Sequence, residues 1–201
     1  TAALLALALP PLTPWWITAS GSAFAILVAK HLYGGLGYNV FNPAMVGYAA
    51  LLVSFPVHMT RWLLPSGIAP VDLSFEQSLH IILTQTLPSE LTWDALSGAT
   101  PLAAVRSGLI LRNTLDEIHA QPIFSAVTGV GWQWVSIAAL IGGGVLLALR
   151  IIRWQIPVSM LGALFFCAAI MHSIDPGRYD GPLFHLFSGA SMLGAFFIAT
   201  D

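Results

Sequence analysis

Apolar runs at residues 1–9, 15–33, 43–59, 130–149, 155–174 and 183–199 alternate with polar gaps, and one long polar interval, 63–128, divides them into two groups. A helix needs about 20 predominantly apolar residues to cross a bilayer, so the pattern predicts an all-α, polytopic membrane helical bundle. Pro10, Pro11 and Pro14 close the first run, since proline lacks the N–H that a helix interior requires. Trp15 and Trp16 stand where interfacial anchors are expected, and Lys30 and His31 lie where polar side chains can reach the headgroups. Gly34, Gly35 and Gly37 break the helix. Asn42-Pro43 predicts a fresh start, with Asn42 as N-cap and Pro43 at the first helical position. Pro56 should kink or end that helix, which runs towards Met59, and Arg61 and Trp62 mark its interface.

The charges fall in the gaps and give an orientation. Positive residues in short loops favour the cytoplasmic side, so Arg150 and Arg153 put their gap inside, and Lys30 agrees. The polar interval carries Asp72, Glu76, Glu90, Asp94, Asp116 and Glu117 against Arg106 and Arg112, and it falls outside together with the turn from Asp175 to Pro182. Arg61 alone dissents. The chain divides into transmembrane helices over 1–62 with a glycine-rich break at 34–42, an extracytoplasmic loop over 63–128, and transmembrane helices over 129–201.

Composition narrows the classes. Hydrophobic residues make up 57% and charged residues 8%, with a mean hydropathy of +0.81, whereas a soluble domain carries about 25% charged residues. A net charge of −2 with seven scattered Lys and Arg excludes the basic patch that nucleic-acid binding requires. One cysteine, Cys167, excludes an intrachain disulfide, a cysteine-ligated cluster and a thiolate zinc site. Within its apolar run it is expected to be a small core residue. His31, His58, His80, His119, His172 and His185 lack ligand spacing, so no metal site is expected. The chain opens on Thr1 inside an apolar run and stops at Asp201 as another ends, which reads as a piece of a longer subunit.

One stretch of the polar interval carries chemistry: Asp94-Ala95-Leu96-Ser97-Gly98-Ala99-Thr100. Thr100-Pro101 before Leu102-Ala103-Ala104-Val105 reads as an N-cap followed by the first helical residue. Such a helix start offers unpaired N–H groups and the positive end of a dipole, which suit a phosphate diester. Gly98 and Ala99, just before it, are small. The D-x-x-S-G-A-T pattern resembles the acceptor sequence of flavin transferases, which join FMN through its phosphate to the final threonine. Upstream, Gly34-Gly35-Leu36-Gly37-Tyr38-Asn39-Val40-Phe41-Asn42-Pro43-Ala44-Met45-Val46-Gly47-Tyr48 carries a second likeness. Together the two stretches resemble the NqrB/RnfD family, whose members are RnfD of the Rnf ion-translocating electron-transport complex and NqrB of the sodium-pumping NADH:quinone oxidoreductase. The run from Phe41 to Pro56 looks closer to RnfD.

The resemblance implies inverted helical repeats, similar to those of urea transporters, with parts of both in this chain. It implies FMN attached covalently to Thr100, with Asp94, Ser97, Gly98 and Ala99 as the motif that the flavin transferase reads. No catalytic residue and no independent catalysis are expected. The flavin would exchange electrons with a neighbouring subunit of a bacterial inner-membrane complex that couples ferredoxin oxidation, NAD reduction and movement of sodium ions or protons, with the 63–128 loop periplasmic. Gly34, Gly35, Gly37, Asn39 and Asn42 either help enclose a flavin, which could be a second, non-covalent one such as riboflavin, or form an ordinary interhelical turn. Non-helical backbone in a membrane needs protein or polar cover, and broken helices there often face a ligand. Asn42-Pro43-Ala44 also resembles the half-helix motif of aquaporins, so a channel or transporter of the aquaporin or urea-transporter type is the alternative from another class, and an NqrB-type subunit is the nearer one. Ser188-Gly189-Ala190-Ser191 repeats the S-G-A-hydroxyl core but has His185 where the motif wants an aspartate. It lies in an apolar run, and Ser191 is expected to serve helix packing. Arg106 and Arg112 are expected on a solvated loop face.

Overall fold

A computed structural model describes residues 1–35, 37–125 and 128–200; Leu36 of the glycine-rich break and Ala126 and Val127 of the polar interval lie outside them. Among the described residues the regular structure is helical, and the chain forms two compact units, Thr1–Gly98 and Ala99–Asp201.

In the first unit, α1 (Ala2–Ala8) stops before the prolines, and α2 (Trp15–Ile26) runs on into a π-helical turn, Leu27–His31. The next helix, α3 (Pro43–Ser54), starts as the sequence predicts: Asn42 Oδ1 accepts the N–H groups of Ala44 at 2.9 Å and Met45 at 3.3 Å, with Pro43 at the first position. Pro56 ends α3 at Phe55 and opens the short α4 (Pro56–Met59). Helices α2 and α3 approach closely because their facing positions are small. A Cβ on Gly47 would lie 2.8 Å from the Gly21 carbonyl oxygen and 2.9 Å from the Ala25 Cβ. Small residues at such crossings let backbones meet where lipid removes the usual hydrophobic drive between helices. Leu5, Leu9, Ile17, Ala44, Leu51 and Met59 fill the core around them.

Among the described residues the polar interval holds four short helices joined by turns and extended stretches. Ser74 and Gln77 form a capping box at α5 (Phe75–Thr84), and Thr114 and Glu117 form another at α8 (Leu115–His119). Between these lie α6 (Trp93–Leu96) and α7 (Pro101–Ile110).

The second unit holds α7, α8, α9 (Trp132–Ala148) and α10 (Gln155–Ile174), followed by α11 (Pro182–Phe187), α12 (Ser191–Leu193) and a π-helical turn, Gly194–Ile198. Helix α10 has 20 residues and is long and apolar enough to cross a membrane, with only 11% of its spanning window buried. A soluble core helix of that composition would be covered; this one presents its apolar surface outward, as a lipid-facing helix does. Cys167 is exposed on it, and the expectation of a core cysteine is corrected. On a helix in hydrocarbon, apolar side chains leave water without entering a protein core.

The expected single run at 183–199 is also corrected, because the helix breaks at residues 188–190. Ser136 on α9 sustains the break: its Oγ donates to the Phe187 carbonyl at 2.9 Å and lies 3.3 Å from that of Gly189. Exposed carbonyls inside a bundle need such partners. Leu186, Met192, Ala195 and Phe196 form the core beside the break.

Candidate functional site

The acceptor stretch is built from the end of α6 to the start of α7. Thr92 caps α6, its Oγ1 accepting the Ala95 N–H at 3.3 Å, and Asp94 is exposed in the first turn, where a carboxylate suits the helix dipole. After Leu96 the backbone extends. Leu63 and Ser97 form an antiparallel bridge, the Leu64 N–H donates to the Leu96 carbonyl at 3.2 Å, and the Gly98 N–H donates to that of Trp62 at 3.0 Å. Residues 96–98 are thereby pinned against 62–64. A Cβ on Gly98 would run into the Leu64 side chain, so glycine suits this close approach. The Ser97 hydroxyl donates to the Trp93 carbonyl at 2.8 Å, and the Arg61 guanidinium sits 4.7 Å above the Trp93 ring. Asp94 to Gly98 belong to the first unit, and Ala99 and Thr100 open the second.

Thr100 adopts φ −66° and ψ 158°, the extended conformation favoured before proline. Its Oγ1 accepts the Ala103 N–H at 3.3 Å, and its carbonyl accepts the Ala104 N–H at 2.8 Å. Pro101, buried, supplies the first residue of the ten-residue α7. Ala99 is exposed and Thr100 half-buried. The Thr100 oxygen therefore serves as an acceptor within the protein, at a helix N-terminus whose partial positive charge favours an anion.

The second S-G-A-hydroxyl core has a different geometry. Ser191, half-buried on the three-residue α12, donates its hydroxyl to the His185 carbonyl at 3.0 Å. Arg106, on α7, and Arg112 are both exposed. Arg106 lines an open cleft of about 600 Å³ with Asn113, Arg178 and Tyr179. Arg112 takes φ 65° in the turn that closes α7.

In the glycine-rich break, Gly34, Gly35 and Gly37 have φ of 103°, 96° and 85°, a region open to glycine and unfavourable to side chains. Asn39 Nδ2 donates to the Phe41 carbonyl at 3.0 Å, and Asn42 caps α3. Tyr38 and Phe41 stand exposed beside them.

One pair lies outside every motif of the sequence. The His119 Nε2 lies 3.0 Å from Asp180 Oδ1, with Asp180 only 7% exposed and its Oδ2 without a hydrogen-bond partner among the described residues. The His119 ring stacks on Phe124 at 4.7 Å and tilts against Phe184 at 5.6 Å. The pair links α8 to the turn before α11, and no local spacing announces it.

The NQR2, RnfD, RnfE family matches residues 1–201. The chain belongs to this family. Curated relatives named for a subunit of the ion-translocating oxidoreductase complex include one from Shewanella sediminis, 49% identical over 206 residues. Others of the same name come from Pectobacterium atrosepticum, 51% identical over 209 residues, and Vibrio cholerae serotype O1, 50% identical over 208. Each match covers 100% of this chain and 59%, 60% and 60% of the respective relative. The chain thus spans about three fifths of the length of these relatives. For this member of the NQR2, RnfD, RnfE family, the likeness at Gly34–Tyr48 and Asp94–Thr100 extends over residues 1–201, and the helices of the described residues agree with the apolar pattern.

Proposed function

We propose that this chain is the flavin-bearing part of a membrane electron-carrier subunit, with FMN joined through its phosphate to Thr100, in an ion-translocating oxidoreductase complex of the Rnf type. The observation that carries this is the place of the Thr100 hydroxyl at the N-cap of α7, at the end of D-x-x-S-G-A-T. The residues fit the group. A phosphodiester oxygen on Thr100 can keep the bond from the Ala103 N–H, and the helix N-terminus favours the phosphate charge. Asp94 and Ala99 are exposed to a transferase. FMN, when bound, supplies the redox chemistry, while the protein sets its position and surroundings. Thr100 would tether it, and Pro101 fixes the start of α7.

The relatives' name, which places them in an ion-translocating oxidoreductase complex, favours an electron carrier over an aquaporin-type channel and an Rnf-type complex over an NqrB-type one. The site is assigned to the periplasmic side of a bacterial inner membrane, with electrons exchanged with other subunits. The hydrogen bonds of Asn39 and Asn42 suit a turn and cap in the glycine-rich break, and the covalent flavin is proposed at Thr100.

A phosphodiester survives denaturation. Full-length subunit coexpressed with a flavin transferase should carry flavin fluorescence on a denaturing gel. Thr100→Ala should abolish it, Thr100→Ser should retain part, Asp94→Ala should reduce it, and Ser191→Ala should leave it unchanged. An intact mass equal to the bare polypeptide despite coexpression would overturn the assignment. Loss in Ser191→Ala with retention in Thr100→Ala would move it to the other copy.

A further inference from the structure

We propose that the connection between α9 and α10 binds the phosphate headgroup of an anionic phospholipid. A cleft of about 480 Å³ opens there, lined by Leu147, Arg150, Ile152, Arg153, Trp154 and Gln155. Both arginines are exposed, and neither forms an ion pair among the described residues. No Asp or Glu occurs anywhere in residues 129–174, so the two helices and their connection hold no carboxylate for either guanidinium. Two unpaired arginines lining one cleft suit a phosphate, which a planar guanidinium fork can grip through paired N–H donors.

The backbone holds the arginines in place. The Arg150 N–H donates to the Leu147 carbonyl at 3.0 Å and the Ile151 N–H to that of Leu146 at 2.9 Å. These two bonds close the end of α9 in a Schellman motif with Arg150 in the left-handed region at φ 57°. Helix α10 begins five residues later at Gln155, so the cleft sits where two apolar helices end.

The surroundings identify a lipid as the occupant. Trp154 is 61% exposed, and Leu149 and Ile151 are exposed at 65% and 64%. An exposed tryptophan with aliphatic neighbours at the end of a spanning helix suits the interfacial layer, where the ring lies at headgroup depth. Acyl chains have the outward apolar face of α10 to lie on, and the phosphate has the cleft. A phosphatidylglycerol headgroup brings one negative charge and no cation; a choline headgroup brings its own cation, which would face the arginines. Basic pockets between membrane helices select anionic headgroups on this ground. The proposal rests on α9 and α10 spanning a membrane, and not on any flavin at Thr100.

The test uses the full-length subunit in its complex, solubilised in mild detergent, and native mass spectrometry with added phosphatidylglycerol or phosphatidylcholine at equal concentration. Phosphatidylglycerol should bind roughly tenfold more tightly, the scale of one net charge-assisted contact. R150Q/R153Q should reduce it to the phosphatidylcholine level. R150K/R153K keeps the charge and hence the insertion topology, and it should lose most of the preference because lysine lacks the fork. Equal binding of the two lipids, undiminished preference in the glutamine pair, or full preference in the lysine pair would each overturn the proposal. So would displacement of the lipid by millimolar glycerol phosphate, which would mark a site for free anions. Labelling of Gln155→Cys in intact vesicles reports separately whether the α9–α10 connection reaches the membrane surface, so a wrong membrane assignment is distinguishable from a wrong lipid site.

Discussion

Gly47→Ala probes the packing of α2 on α3 at its tightest point. In an open helix position alanine gains about 1 kcal/mol over glycine. At Gly47 the new Cβ would stand 2.8 Å from the Gly21 carbonyl oxygen and 2.9 Å from the Ala25 Cβ, where relaxed contacts lie at about 3.5–4.0 Å. Both obstacles are fixed to the backbone, so no rotamer relieves them and the helices must part by roughly half an ångström or more. Overpacking of this kind costs about 1–3 kcal/mol. Gly162→Ala on α10 is the matched control, since its Cβ would meet nothing within 4 Å; the propensity gain cancels in the comparison. Gly21→Ala should fall between them, because its obstacle is the Leu51 side chain, which can rotate. At about 2–4 °C per kcal/mol for a chain of this size, Gly47→Ala should unfold about 2–12 °C below Gly162→Ala. The midpoint would be followed in detergent by intrinsic fluorescence at one scan rate, since irreversible unfolding makes midpoints rate-dependent. A Gly47→Ala subunit as stable as the control would refute the close crossing of α2 and α3.

Ser136→Ala removes the hydroxyl that serves the Phe187 and Gly189 carbonyls and should cost about 1–3 kcal/mol, read as a lower midpoint; an unchanged midpoint would mean the break at 188–190 stands without it. Asn42→Ala loses the N-cap of α3 and should cost about 1 kcal/mol, while leaving gel fluorescence and vesicle permeability unchanged; solute flux abolished by this change would favour a channel. In a Cys167→Ala background, an impermeant thiol reagent on whole cells should label Ser66→Cys and spare Gln155→Cys, and the reverse pattern would invert the topology. A double-mutant cycle with His119→Gln and Asp180→Asn should give a coupling above about 0.5 kcal/mol in stability; simple additivity would show that the pair contributes nothing.

Features decided by near neighbours were legible in the sequence. Asn42-Pro43 and Thr100-Pro101 cap their helices as the sequence predicts, because a cap needs only a side-chain oxygen and an N–H two or three residues on. The span of α10 was readable from its unbroken apolar run. Features decided across the chain were not. The interruption at 188–190 depends on a serine from α9, and nothing in the run itself marks where that hydroxyl arrives. His119 and Asp180 meet from separate turns. Cys167 differs for another reason: an apolar run need not face a protein interior, and on α10 the apolar medium lies outside. Gly47 carried no turn or motif signal, since its role is to leave room for Gly21 and Ala25.

The pairing of residues 62–64 with 96–98 gives the excursion between them a closed neck. What happens to the chain between Pro65 and Leu91 is therefore bounded by hydrogen bonds on both sides of the neck. Lengthening a loop whose ends are already joined adds only about 0.6 kcal/mol per doubling. The exposed turn at Gly67, with φ 91° and open space around it, is accordingly a place where an epitope or fluorescent peptide can be spliced into the subunit while the paired backbone at 62–64 and 96–98 stays in place.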